Sequence, residues 1–81
     1  MKEQEKSDRL KLFGETVRRF RQINNQSQEE LADCAGIDRS YLGAIERGEH
    51  NLALLNIIKI AKGLGISPHK LLEGYASSKE K

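Results

Sequence analysis

Apolar residues recur along this chain at steps of three and four, and nowhere do they alternate with polar ones as a strand would require. Leu10, Phe13, Val17 and Phe20 form one stripe, flanked by Leu12 and Ile23, which predicts a first helix over about residues 8–24. Ser27-Gln28-Glu29-Glu30 is a capping box with Ser27 as N-cap and Glu30 at N3. It opens a second helix that runs to about Ala35, where Gly36 supplies a left-handed stop. A third helix starts from Asp38 as N-cap and finishes near Arg47, with Gly48 ending it. A fourth spans roughly residues 53–62 and is stopped within residues 63–65. The fifth opens on Ser67-Pro68, an N-cap followed by proline at N1, and ends near Glu73-Gly74. The polar stretches 1–7 and 76–81 are expected to be flexible tails, which leaves residues 8–75 as one all-α domain of five short helices.

Eighty-one residues suffice for one modest core. No apolar run is long enough to cross a membrane, and the polar opening MKEQEKSDR lacks the core of a signal peptide. Cys34 is the single cysteine, expected as a small half-buried residue; it permits no internal disulfide and fits a reducing cytoplasm. Two scattered histidines, His50 and His69, give no zinc spacing and read as solvated. Glu29 and Glu30 belong to a capping turn rather than an acid–base pair. No nucleophile–base constellation and no phosphate loop appears, so neither catalysis, metal nor cofactor is expected. Net charge is only +2, and residues 9–51 carry seven Lys and Arg against seven Asp and Glu. Charge alone therefore does not announce a nucleic-acid partner; such a case must rest on where particular residues point.

Two helices joined by Gly36-Ile37-Asp38 have the form of a helix-turn-helix unit. Ala32 is small where the second helix would cross the third, and Leu31, Ile37, Leu42 and Ile45 would wedge both over the first. The third helix is locally poor. Gly43 costs it about 1 kcal/mol relative to alanine, and Arg39 stands in the first turn, where the helix dipole disfavours a cation. On a wheel of about 100° per residue, Arg39, Ser40, Gly43, Ala44 and Arg47 share one arc of about 140°, opposite Tyr41, Leu42 and Ile45. A face that is polar or very small suits a helix laid in a DNA major groove, with Arg39 placed to pair bidentately with guanine O6 and N7.

The run SQEELADCAGIDRSYLGAIERG, residues 27–48, resembles the helix-turn-helix of the phage-repressor-like family, also called the xenobiotic-response-element family. The resemblance extends over residues 13–72, from a leading arginine to an apolar helix ending in IAKGLGIS, and it implies a five-helix lambda-repressor-like DNA-binding domain. Within that family, DRSYL…IERGxxN…L.NI.KI resembles the small controller proteins of restriction–modification systems, a pattern shared in part by phage repressors and antitoxins. The resemblance implies that Gln28 bonds a phosphate, that Arg39 and Ser40 face base edges, and that Tyr41 lies at the groove wall. Gly43 and Ala44 fall where other members carry base-reading side chains, so direct readout is expected to be thin. Arg47 and Asn51 would hold phosphates beyond the recognition helix, with Ser27 adding one if capping leaves its hydroxyl free. Arg21 and Glu46 match a structural ion pair that bridges the first helix to the third. The sequence departs from the pattern at Ala53, which cannot cap the fourth helix unless Asn51 does so earlier. It departs also at His50, where a controller often carries arginine, and at Glu49, which adds a negative charge near the DNA.

One recognition helix reads few base pairs, so a protein of this size is expected to act as a homodimer on a palindromic operator. Leu54, Ile57, Ile60, Ala61 and Leu64 supply a core stripe of the fourth helix. Leu55 and Ile58 are left over, and with Leu72 and Tyr75 they form the expected dimer interface. The function implied is that of a cytoplasmic transcriptional regulator on double-stranded DNA, recruiting or excluding RNA polymerase at a promoter. A different class remains open on the same residues: a protein-interaction module or antitoxin that keeps the fold.

Overall fold

Four successive helix ends are built alike. At Asn25, Gly36, Gly48 and Gly65 the backbone turns into the left-handed region, with φ of 57°, 72°, 76° and 76°. In each case the next amide reaches back across the turn: Gln26 to the Arg21 carbonyl, Ile37 to Ala32, Glu49 to Ala44 and Ile66 to Ala61. This pattern satisfies carbonyls that the helix leaves orphaned and reverses the chain sharply.

The computed structural model describes residues 1–75, and the tail expected over residues 76–81 lies outside the described residues. The turns separate α1 (Glu3–Ile23), α2 (Gln28–Ala35), α3 (Arg39–Glu46), α4 (Leu54–Leu64) and α5 (Pro68–Leu72), which continues as a 3-10 turn over Glu73–Tyr75. N-termini follow the sequence signals. The Ser27 hydroxyl accepts from the Glu30 amide at 3.0 Å while Glu30 Oε1 accepts from the Ser27 amide at 2.8 Å. Asp38 accepts from the Ser40 and Tyr41 amides at 3.0 and 3.3 Å.

Helices of eight residues are marginal alone; here they are held by one shared core. Val17, Leu31, Leu42, Ile45, Ile60 and Leu71 are fully buried, each contributing about 1.5–3 kcal/mol by leaving water. Phe13, Ala32, Ala61 and Leu64 complete the cluster, with Phe20, Ile37, Tyr41, Leu52, Ile57 and Ile66 packed around it. Gly14 lets α1 touch α3: a Cβ there would collide with the carbonyl oxygens of Ile45 and Glu46. The loop after α1 is tied to the end of α4, with Asn24 Nδ2 donating to the Leu64 carbonyl at 2.9 Å and Gln26 Nε2 to that of Gly63 at 3.3 Å.

Several expectations need correction. Helix α1 begins at Glu3, five residues before Asp8, so part of the expected N-terminal tail is helical. Glu3 and Glu5 in its first turn complement the helix dipole, and Gln4 donates to Asp8 at 2.9 Å. Leu54 does not join the core but is 68% exposed. Burial of α4 is concentrated in its later half, where Gly63 packs on Ala35 and Leu31, and the expected stop within residues 63–65 is made by the left-handed Gly65. Ala53 is the N-cap of α4 with no side-chain cap, and Asn51 does not substitute for it. Cys34 is exposed, on the outer side of α2. No helix among the described residues is long and apolar enough to cross a membrane.

Candidate nucleic-acid interface

The expected site gathers around the exposed side of α3. Arg39 and Ser40 stand exposed at its N-terminus, with Arg47 exposed at its C-cap. Behind them lies a buried ion pair. Arg21 Nε donates to Glu46 Oε2 at 2.7 Å and Arg21 Nη2 to Glu46 Oε1 at 3.0 Å, while Nη1 donates to the Gln26 carbonyl at 2.9 Å. The hydrogen bond Arg21 donates to Glu46 raises the Arg21 pKa further, against the opposing effect of burial. The pair fixes α3 against α1 and the loop that leads into α2.

Gln28, first residue of α2, joins this network. Its Nε2 donates to Glu46 Oε1 at 3.1 Å, which turns its Oε1 outward to accept from Arg39 Nη1 at 3.5 Å. A carboxylate only accepts hydrogen bonds, so Glu46 dictates which end of the amide faces inward. One amide hydrogen on Gln28 remains for an external acceptor. The same side chain also alters the expected face of α3. Gly43 is buried: an added Cβ would meet Gln28 Oε1 at 3.5 Å and Arg47 Nη1 at 3.3 Å. Ala44 is 6% exposed. The centre of the arc is thus roofed by Gln28 and Arg47 instead of lying bare, and the exposed groups are those at its two ends.

Tyr41 is half-buried. Its hydroxyl oxygen accepts from Asn56 Nδ2 at 2.9 Å, and its ring lies 5.6 Å from that of His50, which is exposed. Ser27 accepts a capping bond, yet a hydroxyl has one donor hydrogen besides, so a phosphate oxygen is still within its chemistry. Asn51 is exposed beside Gly48 and Glu49, on an open cleft bordered by Glu3, Lys6 and Ser7 of α1. Arg47 is engaged by Glu49, a contact the pattern of the sequence did not raise, although Arg-Gly-Glu at a left-handed helix stop was its signal. Nothing local flagged Asn56. Away from α3, Leu54, Leu55 and Ile58 of α4 are 68%, 69% and 41% exposed, and Leu72 of α5 is 42% exposed. The side chain of Tyr75 lies outside the described residues.

Comparison with known proteins agrees with this fold. The helix-turn-helix family model matches residues 17–71. The chain is similar to the control protein C.SmaI of Serratia marcescens, 46% identical over 65 residues that cover 80% of this chain and 77% of that one. Among solved structures it is similar to the restriction–modification controller protein C.AhdI of Aeromonas hydrophila, with a TM-score of 0.78 and 45% identity over 79% of this chain and 97% of that one. It is also similar to SinR, the master regulator for biofilm formation, in its complex with DNA, with a TM-score of 0.70 and 34% identity over 74% and 97% of the two chains. With a capped helix pair over an ion-paired scaffold and a family match across most of its length, this chain belongs to the helix-turn-helix family of DNA-binding transcription regulators.

Proposed function

We propose that the protein is a cytoplasmic, homodimeric regulator that reads a palindromic operator, acting as a controller of the restriction–modification type. The observation that carries this is the division of the surface. Arg39, Ser40 and Arg47 ring the open side of α3, and Leu55, Ile58 and Leu72 stand exposed on the helices that follow, in this reading as one apolar strip. A single α3 spans too few base pairs to select one site, whereas pairing two copies through the apolar strip would present two such helices to major grooves about 34 Å apart. In this reading Arg39 and Ser40 contact base edges and Tyr41 the groove wall, while Gln28, Arg47, Asn51 and Ser27 hold phosphates. Gly43 and Ala44 lie too deep for their own side chains to read bases, and serve by keeping the middle of α3 thin. Occupying a promoter in this way would recruit or exclude RNA polymerase.

A protein-interaction module, such as an antitoxin, is the second reading. The roofed centre of α3 and the balanced charge of residues 9–51 favour it. Selection from random-sequence duplexes at physiological salt separates the two. An enriched palindrome is expected, with a binding constant that falls linearly against salt on logarithmic axes. A folded protein that enriches nothing and responds weakly to salt would overturn the proposal in favour of a protein partner.

A further inference from the structure

The end of α3 holds an ion pair with no part in the core. The Gly48 amide bonds the Ile45 carbonyl at 2.9 Å, and the Glu49 amide bonds that of Ala44 at 3.0 Å. This double closure folds the chain back across the helix end and brings the side chain of Glu49, one residue beyond the left-handed Gly48, beside the C-cap residue Arg47. Glu49 Oε2 accepts from Arg47 Nε at 2.9 Å and Glu49 Oε1 from Arg47 Nη2 at 3.2 Å. Both side chains are more than half exposed, so the pair does little for stability. The fork geometry, however, is the one a guanidinium offers to two oxygens of a phosphate.

Building on the DNA-binding reading above, we propose that Glu49 is an internal stand-in for phosphate that sets how strongly Arg47 grips the DNA backbone. In the free protein the two oxygens of Glu49 occupy the Nε and Nη2 donors of Arg47, leaving Nη1 over Gly43. A DNA phosphate must displace Glu49 or share the guanidinium with it. Either way the local charge that attracts the backbone is one cation minus one anion, and fewer counterions are released on binding than the arginine count implies. A phosphate contact carries no sequence information, so Glu49 restrains affinity for all duplexes alike and leaves discrimination to Arg39 and Ser40. The pairing also holds the Glu49 carboxyl below the usual carboxylate range, chiefly through the hydrogen bond from Arg47.

The test is a double-mutant cycle of Glu49→Gln and Arg47→Ala in the full chain, read by binding to selected and random duplexes across a salt series. Glu49→Gln is expected to tighten binding to both by roughly two- to fivefold and to steepen the log–log salt slope by about 0.9, the worth of one phosphate. With Arg47→Ala already present, Glu49→Gln is expected to add almost nothing. An equal gain in both backgrounds would overturn the proposal, since Glu49 would then act as an unspecific negative charge. A loss of binding in Glu49→Gln would overturn it too, because Glu49 would be holding Arg47 ready instead of competing for it. An NMR titration of the Glu49 carboxyl needs no DNA. A depressed midpoint that returns to the ordinary range in Arg47→Ala supports the pair, and an ordinary midpoint in the unmodified chain overturns it. A chain that binds no duplex while showing the depressed midpoint places the failure in the DNA-binding reading.

Discussion

Replacing Arg21 with methionine keeps an apolar stem and removes the guanidinium, both its charge and its donor to the Gln26 carbonyl. Glu46 is then left with 4% of its side chain exposed and one remaining side-chain partner, Gln28 Nε2 at 3.1 Å. Breaking a buried pair from one side costs about 3–5 kcal/mol, because the surviving charge stays desolvated. The bond from Gln28 argues for the lower end, about 3 kcal/mol. A domain of this size has about 4–12 kcal/mol in all, at roughly 0.05–0.15 kcal/mol per residue. The loss is therefore a large share of the whole. With a urea dependence of about 1 kcal/mol per molar for so small a chain, the midpoint followed by circular dichroism should fall by about 3 M. Adding Glu46→Leu should restore most of the loss, since an apolar pair of similar volume pays no desolvation penalty. A shift under about 1 M for Arg21→Met would mean the pair behaves like a surface one. A double variant no more stable than the single would mean the damage lies in packing and not in an orphaned charge.

Arg39→Ala should cost about 1–3 kcal/mol on a selected operator and relax preference at one base position, with little change on random duplexes; equal losses on both would remove Arg39 from base readout. Leu55→Glu with Ile58→Glu should give a folded, soluble monomer in sedimentation, and a variant that still pairs would clear this strip of the role. Gly14→Ala should destabilise the fold by about 1–3 kcal/mol in thermal melts, because the new methyl group meets backbone carbonyls of α3 that cannot rotate away. A melt unchanged from the parent would show that α1 and α3 can part there without loss.

The parts of this fold legible in the sequence are those that local chemistry decides. Ser27 with Glu30, Asp38, Gly36 and Gly48 specify caps within four residues of themselves, so the positions of α2 and α3 follow from inspection. What escaped depends on partners far along the chain. The first turn of α1 is polar on every side and carries no apolar period, although Glu3 and Glu5 give it a reason to be helical. Gly14 reads as a mere cost to its helix until Ile45 and Glu46, some thirty residues on, are seen against it. In α4, Leu54, Leu55, Ile57, Ile58 and Ile60 offer apolar groups over much of the circumference, so periodicity alone did not settle that Leu54 faces outward. The wheel for α3 likewise set Gly43 and Ala44 at the centre of an open face, with no means of knowing that both are buried and that the Gln28 amide crosses Gly43.

The hydrogen bond from Asn56 to Tyr41 bears on any attempt to retarget this protein. Transplanting a different recognition sequence onto α3 is attractive, since Arg39 and Ser40 are exposed and touch little. Tyr41 does not come free with them, because its hydroxyl is the acceptor for an amide rooted in α4. A graft that replaces Tyr41 with an apolar residue strands the partly buried Asn56 donor, at about 1–3 kcal/mol. The interchangeable cassette is therefore smaller than the helix, and a designer who changes Tyr41 must rewrite Asn56 in the same step.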